Sequence, residues 1–328
     1  MSKNEKKEMY AAEVDKTQLK HQGRLAQTGV YLGKLFRMFI FQSDWKVFPM
    51  AAVIAGLVCY VVGESLFKTM EGTLLGSFAV SCICIWNGFF NSIQVICRER
   101  PIIKREHRSG MHITSYVLAH MIYQACLCLG QTLVTLYIFK LMKIQFPAGS
   151  LISGSVTLDL AITIFLTTYA ADMMSLMISS FVRSTTTAMT VMPFLLIFQL
   201  VFSGGFFSLS GAALKLTDFT VAKWGLTALC SQGHYNELPM VSIWNNLKKL
   251  NSVEIDGEQP LHEVFYMIEQ TEGGREEIML KCAEYNQKPE YDSEPETVLM
   301  CWSRLSFFIV IFACLSVASL EYVDRDKR

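Results

Sequence analysis

Six long apolar segments alternate with polar connections along the chain. A membrane-spanning helix needs about 20 mainly apolar residues, and six stretches meet that requirement. They cover residues 47–66, 74–97, 113–141, 151–181, 187–207 and 298–320. The sixth begins weakly, because Arg304 lies near its outer end. The pattern predicts an all-α integral membrane protein with six transmembrane helices, the first five within residues 46–207.

Residues 23–45, ahead of the first span, have the pattern of an amphipathic helix. Arg24, Lys34 and Arg37 occupy faces other than the apolar one. The apolar face consists of Leu25, Leu32, Leu35, Phe36, Phe39 and Ile40. This spacing favours a connecting helix that lies in the membrane surface over a plain solvated helix beside the membrane. A charged tail, residues 1–22, precedes it.

A short and strongly basic stretch, residues 97–110, separates the second span from the third. Charged side chains cost several kcal/mol in hydrocarbon, so this stretch must lie outside the lipid. Its Arg and Lys content predicts the cytoplasmic side. With six spans, both termini (including the tail 321–328) and Arg183 fall on that same side. The stretch forms a compact cytoplasmic knob that a soluble partner could push.

The longest polar segment, residues 208–297, is predicted to face outward between spans five and six. Its first part, residues 211–229, is moderately apolar but carries Lys215, Asp218 and Lys223. We expect that part to be re-entrant or to lie at the outer interface. The remainder is acidic, which suits an outward loop. A cation site is the less favoured alternative, because no EF-hand spacing is present.

Composition and motifs exclude several classes of function. The 328 residues are 52% hydrophobic with a net charge of zero, so there is no basic footprint for nucleic acid. No P-loop, metalloprotease or serine-hydrolase motif is present, so we expect no enzyme, no metal site and no ATP bound by this chain itself. Cys230 and Cys282 lie in the predicted outer loop and form a possible disulfide, although sequence does not give their distance.

Asp172 lies well inside the fourth apolar segment. An acidic group at membrane depth is a candidate functional residue. Asp172 is therefore a candidate member of a polar relay. A structural hydrogen bond between helices is the favoured alternative, because polar side chains often hold membrane helices together.

Three motifs in order resemble the permease domain of G-subfamily ABC exporters. The first is Glu99-Arg100-x4-Arg105-Glu106-x3-Gly110, followed by Ser115-Tyr116-x-Leu118. The second is Phe202-Ser203-Gly204-Gly205. The third is Trp224-Gly225-Leu226-Thr227-Ala228-Leu229, followed by Asn236-Glu237. Each motif alone is weak, but together with the order of elements they extend the resemblance over most of residues 23–320.

The resemblance implies a permease that works as a homodimer or heterodimer with an ABC ATPase, which would hold ATP and Mg. Residues 98–112 would form the coupling helix that docks on the ATPase, and Glu99, Arg100, Arg105 and Glu106 would carry the coupling. The substrate cavity would lie on the two-fold axis between spans two and five. Its candidate lining residues are Asn87, Phe90, Asn91, Met192, Phe194 and Phe198, unless these simply pack helices or face lipid.

An apolar cavity would favour export of a lipid, an amphipathic drug or a hydrophobic peptide. Family members commonly carry the ATPase on the same chain, ahead of the surface helix. Here we expect either a separate ATPase subunit or a chain that is a fragment of a fused protein. An ATP-independent channel or secondary carrier is the alternative function, although carriers usually show repeated halves and none is visible. A membrane-embedded enzyme ranks third, because the histidines are scattered.

Overall fold

The structure, a computed structural model, describes residues 23–41, 44–205, 207, 211–254, 259 and 261–322. The predicted tails 1–22 and 323–328, together with Asp256 and Glu258 of the acidic loop, lie outside the described residues. Within the described ranges the regular structure is helical. The helices are α1 Arg24–Phe41, α2 Val47–Val62, α3 Met70–Ser92, α4 Val95–Arg108, α5 Ile113–Leu141, α6 Val156–Phe181, α7 Thr185–Val201, α8 Ala212–Thr217, α9 Val221–Gln232, α10 Val241–Asn251, α11 His262–Gln270, α12 Gly274–Glu284 and α13 Pro295–Tyr322.

Five helical segments are long and apolar enough to cross a membrane, which confirms an all-α, multi-pass membrane protein. They are Asp44–Val62, Met70–Arg108, Ile113–Leu141, Val156–Phe181 and Pro295–Tyr322. The predicted fifth span, 187–207, corresponds to α7, which has 17 residues and is shorter than the other five. The helix stops at Val201 because Gly204 adopts a positive φ of 78° in the turn that follows. Six spans therefore remain a prediction.

Helix α6 is the centre of the bundle. It makes its most extensive contacts with α3 and α13. At the α3 contact, a Cβ on Gly88 would lie 2.4 Å from the Thr168 carbonyl oxygen, so only glycine permits this approach. At the α13 contact, Trp302 Nε1 donates a hydrogen bond of 2.8 Å to Thr163 Oγ1. Small and hydroxyl-bearing side chains therefore set the helix spacing.

The second span continues beyond the bundle into α4. The helical path is interrupted at Ile93 and Gln94, and α4 begins at Val95. The side chain of Ser179 on α6 accepts hydrogen bonds from the backbone N–H of Ile96 and Cys97, both at 3.1 Å. These amides have no partner within their own helix, so the contact stabilises the helix start. The coupling helix predicted at 98–112 therefore begins earlier and ends at Arg108.

The amphipathic segment ahead of the spans is helical, as α1, and lies along α5. Leu35 is buried against Ala119, Tyr123 and Leu127 of α5. Leu25, Ile40 and Phe41 are strongly exposed, whereas Phe36 is 41% exposed and packs edge-on against Tyr123 of α5. Such an exposed apolar side suits a helix at the membrane surface.

Helices α10, α11 and α12 lie at the end of the bundle opposite α4, where the Ser242 backbone N–H donates to Glu71 at the start of α3. Helix α9 is almost entirely buried between α3, α6 and α13. Its 12 residues would extend only about 18 Å, too short to cross a bilayer. Helices α10, α11 and α12 then contact one another before α13 returns through the bundle.

Candidate functional site

The predicted coupling residues lie on α4, which has an inward face and an outward face. Glu99 is 7% exposed and Ile103 is 3% exposed, so both point into the protein. The outward face carries exposed residues spaced by one helical turn. They are Arg98, Pro101, Ile102, Arg105 and Arg108. Of the four predicted coupling residues, only Arg105 lies on this outward face.

Glu99 links α4 to two neighbouring helices. The hydroxyl of Tyr116 on α5 donates to Glu99 Oε2 at 2.9 Å. The ammonium of Lys34 on α1 lies 3.7 Å from Glu99 Oε1. A carboxylate that is nearly buried needs both a hydrogen bond and a compensating charge, and these two contacts supply them. Glu99 therefore fixes α4 against α1 and α5.

Glu106 makes a second link between α4 and α1. The hydroxyl of Tyr31 donates to Glu106 Oε2 at 2.8 Å. Burial and the hydrogen bond to Glu106 raise the pKa of Tyr31 above its usual value, so its hydroxyl stays protonated as the donor. The Tyr31 ring also packs edge-on against Tyr116, with centroids 5.7 Å apart. Because the rings of Tyr31 and Tyr116 touch, their hydrogen bonds to Glu106 and Glu99 belong to one cluster of contacts.

Arg100 joins α4 to the end of α6. Its Nη1 donates to the carbonyl oxygens of Val182 at 2.7 Å and Ser180 at 3.3 Å. The last carbonyls of a helix lack intrahelical partners and carry partial negative charge, so a guanidinium is favourable there. Arg100 thus holds the end of α6 rather than pointing away from the protein.

A buried polar cluster lies where α3, α5 and α6 meet. Asp172 accepts hydrogen bonds from Ser92 Oγ and, at 3.3 Å, from Cys128 Sγ. Asn91 and Gln131 exchange two hydrogen bonds of 2.9 and 3.0 Å beside it. Asp172 is 0% exposed. The Asp172 carboxylate therefore joins three helices. Its role in a polar relay stays a prediction.

The predicted cavity residues do not share one surface within a single chain. Phe90 on α3 and Phe194 on α7 are 52% and 70% exposed, and Phe198 is half-buried. Asn87 and Met192 are buried inside the bundle. Asn91 is turned toward Gln131. The exposed aromatic rings of α3 and α7 are the members available to a neighbouring chain.

The proposed disulfide partners are free thiols in the structure. Cys230 is buried on α9 in an apolar cluster that includes Tyr235, Ala283 and Tyr291. Cys282 is half-buried on α12. Their pairing stays a prediction.

Sequence reasoning missed the outward residues Arg98, Ile102 and Arg108. The signal was present, because these positions and Arg105 recur at intervals of three or four, as one face of a helix does. The family resemblance instead drew attention to Glu99, Arg100, Arg105 and Glu106, a motif that contains both inward and outward residues. The inward positions could be identified only once α1, α5 and α6 were packed around α4.

The model of the ABC-2 type transporter family matches residues 35–226, and the chain belongs to that family. This confirms the resemblance at the level of an ABC-2 type permease domain. The chain is 26% identical, over 146 residues, to the ABC transporter ATP-binding/permease protein Rv1747 of Mycobacterium tuberculosis (strain ATCC 25618 / H37Rv). That alignment covers 44% of this chain and 17% of the relative's length.

Proposed function

We propose that this chain is the permease subunit of an ATP-driven exporter, working as a dimer with an ABC ATPase that binds ATP and Mg. Membership of the ABC-2 type transporter family supports this, as does the name of the relative, which combines ATP-binding and permease parts. The ATPase would be a separate subunit or part of a longer fused chain. The cargo would be a lipid, an amphipathic drug or a hydrophobic peptide.

The observation that carries the proposal is the two-sided geometry of α4. Its inward face is held by Glu99, Arg100 and Glu106, which contact α1, α5 and the end of α6. Its outward face is basic, with Ile102 between the arginines. A partner that binds the outward face would move α4, α1 and the ends of α5 and α6 together. Because α4 continues from α3, that motion would reach the second span.

The substrate path would form between two chains. Helix α7 exposes Phe194 and Ile197, which are 70% and 59% exposed, and α3 exposes Phe90. An apolar surface of this kind on a transporter suits either lipid or an amphipathic substrate. A second chain placed around a two-fold axis would oppose the same surface and enclose it. Asn87 and Met192 lie behind that surface and would shape it.

The proposed topology places α1, α4 and both termini in the cytoplasm. The five arginine and lysine residues of α4 support that side. It requires α7 to span, and 17 residues extend about 26 Å, close to the hydrocarbon thickness of about 30 Å. The first part of residues 208–297 would then be re-entrant, which suits the buried helix α9.

Co-purification tests the proposal. A tagged chain would be isolated from its native membranes, with identification of any P-loop ATPase and assay of its ATP hydrolysis. The combined variant Arg98→Glu, Arg105→Glu and Arg108→Glu should insert normally but lose the ATPase. Lys249→Glu, an exposed reversal on α10, is the control and should retain it. If no ATPase co-purifies with the wild-type chain from membranes that contain one, a channel or secondary carrier becomes the better explanation.

A further inference from the structure

A cavity of about 290 Å³ lies between α1, the start of α2, the junction of α3 with α4, and α5. Its volume is near the lower end of the range for ligand pockets, about 300–1,000 Å³. Its wall is partly apolar, from Leu35, Met38, Val47 and Leu127. It does not include Phe194 or Ile197 of the substrate path on α7, but its wall does include Phe90 of that path and Met189 of α7.

Two residues of the cavity wall each carry a buried polar atom that has no hydrogen-bond partner among the described residues. The atoms are His120 Nδ1 and Gln124 Oε1. Both side chains are 1% exposed and both line the cavity. The two residues are four apart on α5, so they lie on the same helix face, one turn from each other. A buried amide oxygen or ring nitrogen without a partner is costly, which points to an occupant that supplies one.

The chemistry of the wall defines the occupant. Gln124 Oε1 can only accept, so the occupant must donate. A hydroxyl group donates to one atom and accepts from another, and can therefore serve both Gln124 and the Nδ1–H form of His120.

The charged residues around the cavity balance one another. Glu99 is paired with Lys34 and Tyr116. The remaining charged wall residues are Asp44 and Arg98, which also belongs to the outward face of α4, and they are opposite in sign. An uncharged headgroup is therefore favoured over an anionic or cationic one.

We propose that this cavity binds the uncharged, hydroxyl-bearing headgroup of an amphiphile from the adjoining membrane leaflet. The apolar residues of α1 and α2 would contact the first part of its chain. The occupant would lie between Asn91 of the buried polar cluster and Glu99 of the α4 contacts, since both line the cavity. It would therefore set the spacing of the helices that hold α4. Binding itself requires neither an ATPase nor transport.

The probe is a 1-monoacylglycerol with a photoreactive diazirine near its headgroup and an alkyne on its chain. The full chain would be labelled in phosphatidylcholine nanodiscs, and the modified peptides mapped by mass spectrometry. We expect labelling on α1 and α5, competed by unlabelled monoacylglycerol. The same monoacylglycerol with both hydroxyl groups methylated cannot donate a hydrogen bond and should compete about tenfold less well. Equal competition by the methylated compound would overturn the role of the hydroxyl, and stronger labelling by a lysophosphatidic acid probe would overturn the uncharged headgroup.

Variants separate the cavity from the general lipid surface. Gln124→Met keeps the side-chain length and should reduce labelling about tenfold. Met38→Trp fills the cavity and should abolish labelling. Met50→Trp is the control, because Met50 lies exposed on α2 outside the cavity. Unchanged labelling in both test variants would show that the cavity holds only water.

A stability measurement keeps the proposal testable without cross-linking. In discs without the probe, Gln124→Met should melt at or above the wild-type temperature, because a buried amide oxygen without a partner is removed. Adding unlabelled monoacylglycerol should raise the melting temperature of the wild type and leave Gln124→Met and Met38→Trp unchanged. Equal stabilisation of all three proteins would contradict the assignment. If Gln124→Met fails to fold, the Met38→Trp and Met50→Trp pair still decides.

Discussion

At the residue scale, Tyr31 determines how firmly α1 is attached to α4. Its hydroxyl is the donor to Glu106, and its ring packs on Tyr116, which in turn donates to Glu99. Tyr31→Phe would keep the ring contact and remove only the hydrogen bond. Glu106 is half-buried, so its carboxylate would regain part of its solvation from water.

We expect Tyr31→Phe to lower the free energy of unfolding by about 1 kcal/mol, since a hydrogen bond to a charged group is partly offset by solvation. The measurement is thermal unfolding of the detergent-purified chain. Tyr137→Phe is the control, because Tyr137 is exposed on α5 and should cost nothing. An equal loss in both variants would mean that the contact between Tyr31 and Glu106 contributes nothing specific.

Asp172 can be tested for structure and function separately. Asp172→Leu would leave the Ser92 hydroxyl and the Cys128 thiol without their acceptor, and should destabilise the bundle by about 1–3 kcal/mol. Asp172→Asn keeps one acceptor oxygen and should cost less. Thermal unfolding and transport would be measured on both variants, with Asp218→Asn, which alters an exposed ion pair, as the control.

The Asn variant decides the role of the charge. Normal unfolding with reduced transport would support a polar relay, whereas normal unfolding with normal transport would leave only the structural role. If the Leu variant matches the wild type in both unfolding and transport, Asp172 is incidental to both.

At the element scale, the contact between α3 and α6 tests whether close approach of small residues holds the bundle together. A methyl group at Gly88 would meet the Thr168 carbonyl oxygen at 2.4 Å and the Asp172 amide nitrogen at 2.6 Å, so the two helices would have to separate. Backbone atoms cannot move aside as a flexible side chain can. We expect Gly88→Ala to cost about 1–3 kcal/mol, the usual range for overpacking a core.

Thermal unfolding of Gly88→Ala measures this cost, and α2 supplies a matched control. Gly56 is also helical, but nothing lies within 4 Å of a Cβ placed there. Gly56→Ala should be neutral or slightly stabilising, because alanine has the higher helix propensity. A Gly88→Ala protein as stable as Gly56→Ala would show that α3 and α6 are less tightly packed than the structure describes.

At the scale of the whole molecule, the hydrophobic pattern was sufficient to predict the spans but not how α4 is oriented. Apolar length depends only on local sequence, so five of the six predicted spans are confirmed. The inward turn of Glu99 and Glu106 depends on partners far away in sequence, such as Tyr31, which is 75 residues from Glu106. The cavity beside His120 and Gln124 is likewise built from residues of six helices, α1 to α5 and α7. No periodicity within one helix encodes those distances.

The proposed dimer gives the last prediction, because a second chain would enclose the exposed surface of α7. Phe194→Cys would place a thiol on that surface. Leu133→Cys would place a thiol on α5, at a position that is also exposed (60%). Under mild oxidation in membranes, Phe194→Cys should give disulfide-linked dimers in a homodimer, since a two-fold axis brings equivalent residues together. Leu133→Cys should stay monomeric on non-reducing gels. Linked dimers from Leu133→Cys alone would place the interface on α5, and links from neither thiol would favour a heterodimer, in which a thiol at Phe194 faces a different chain.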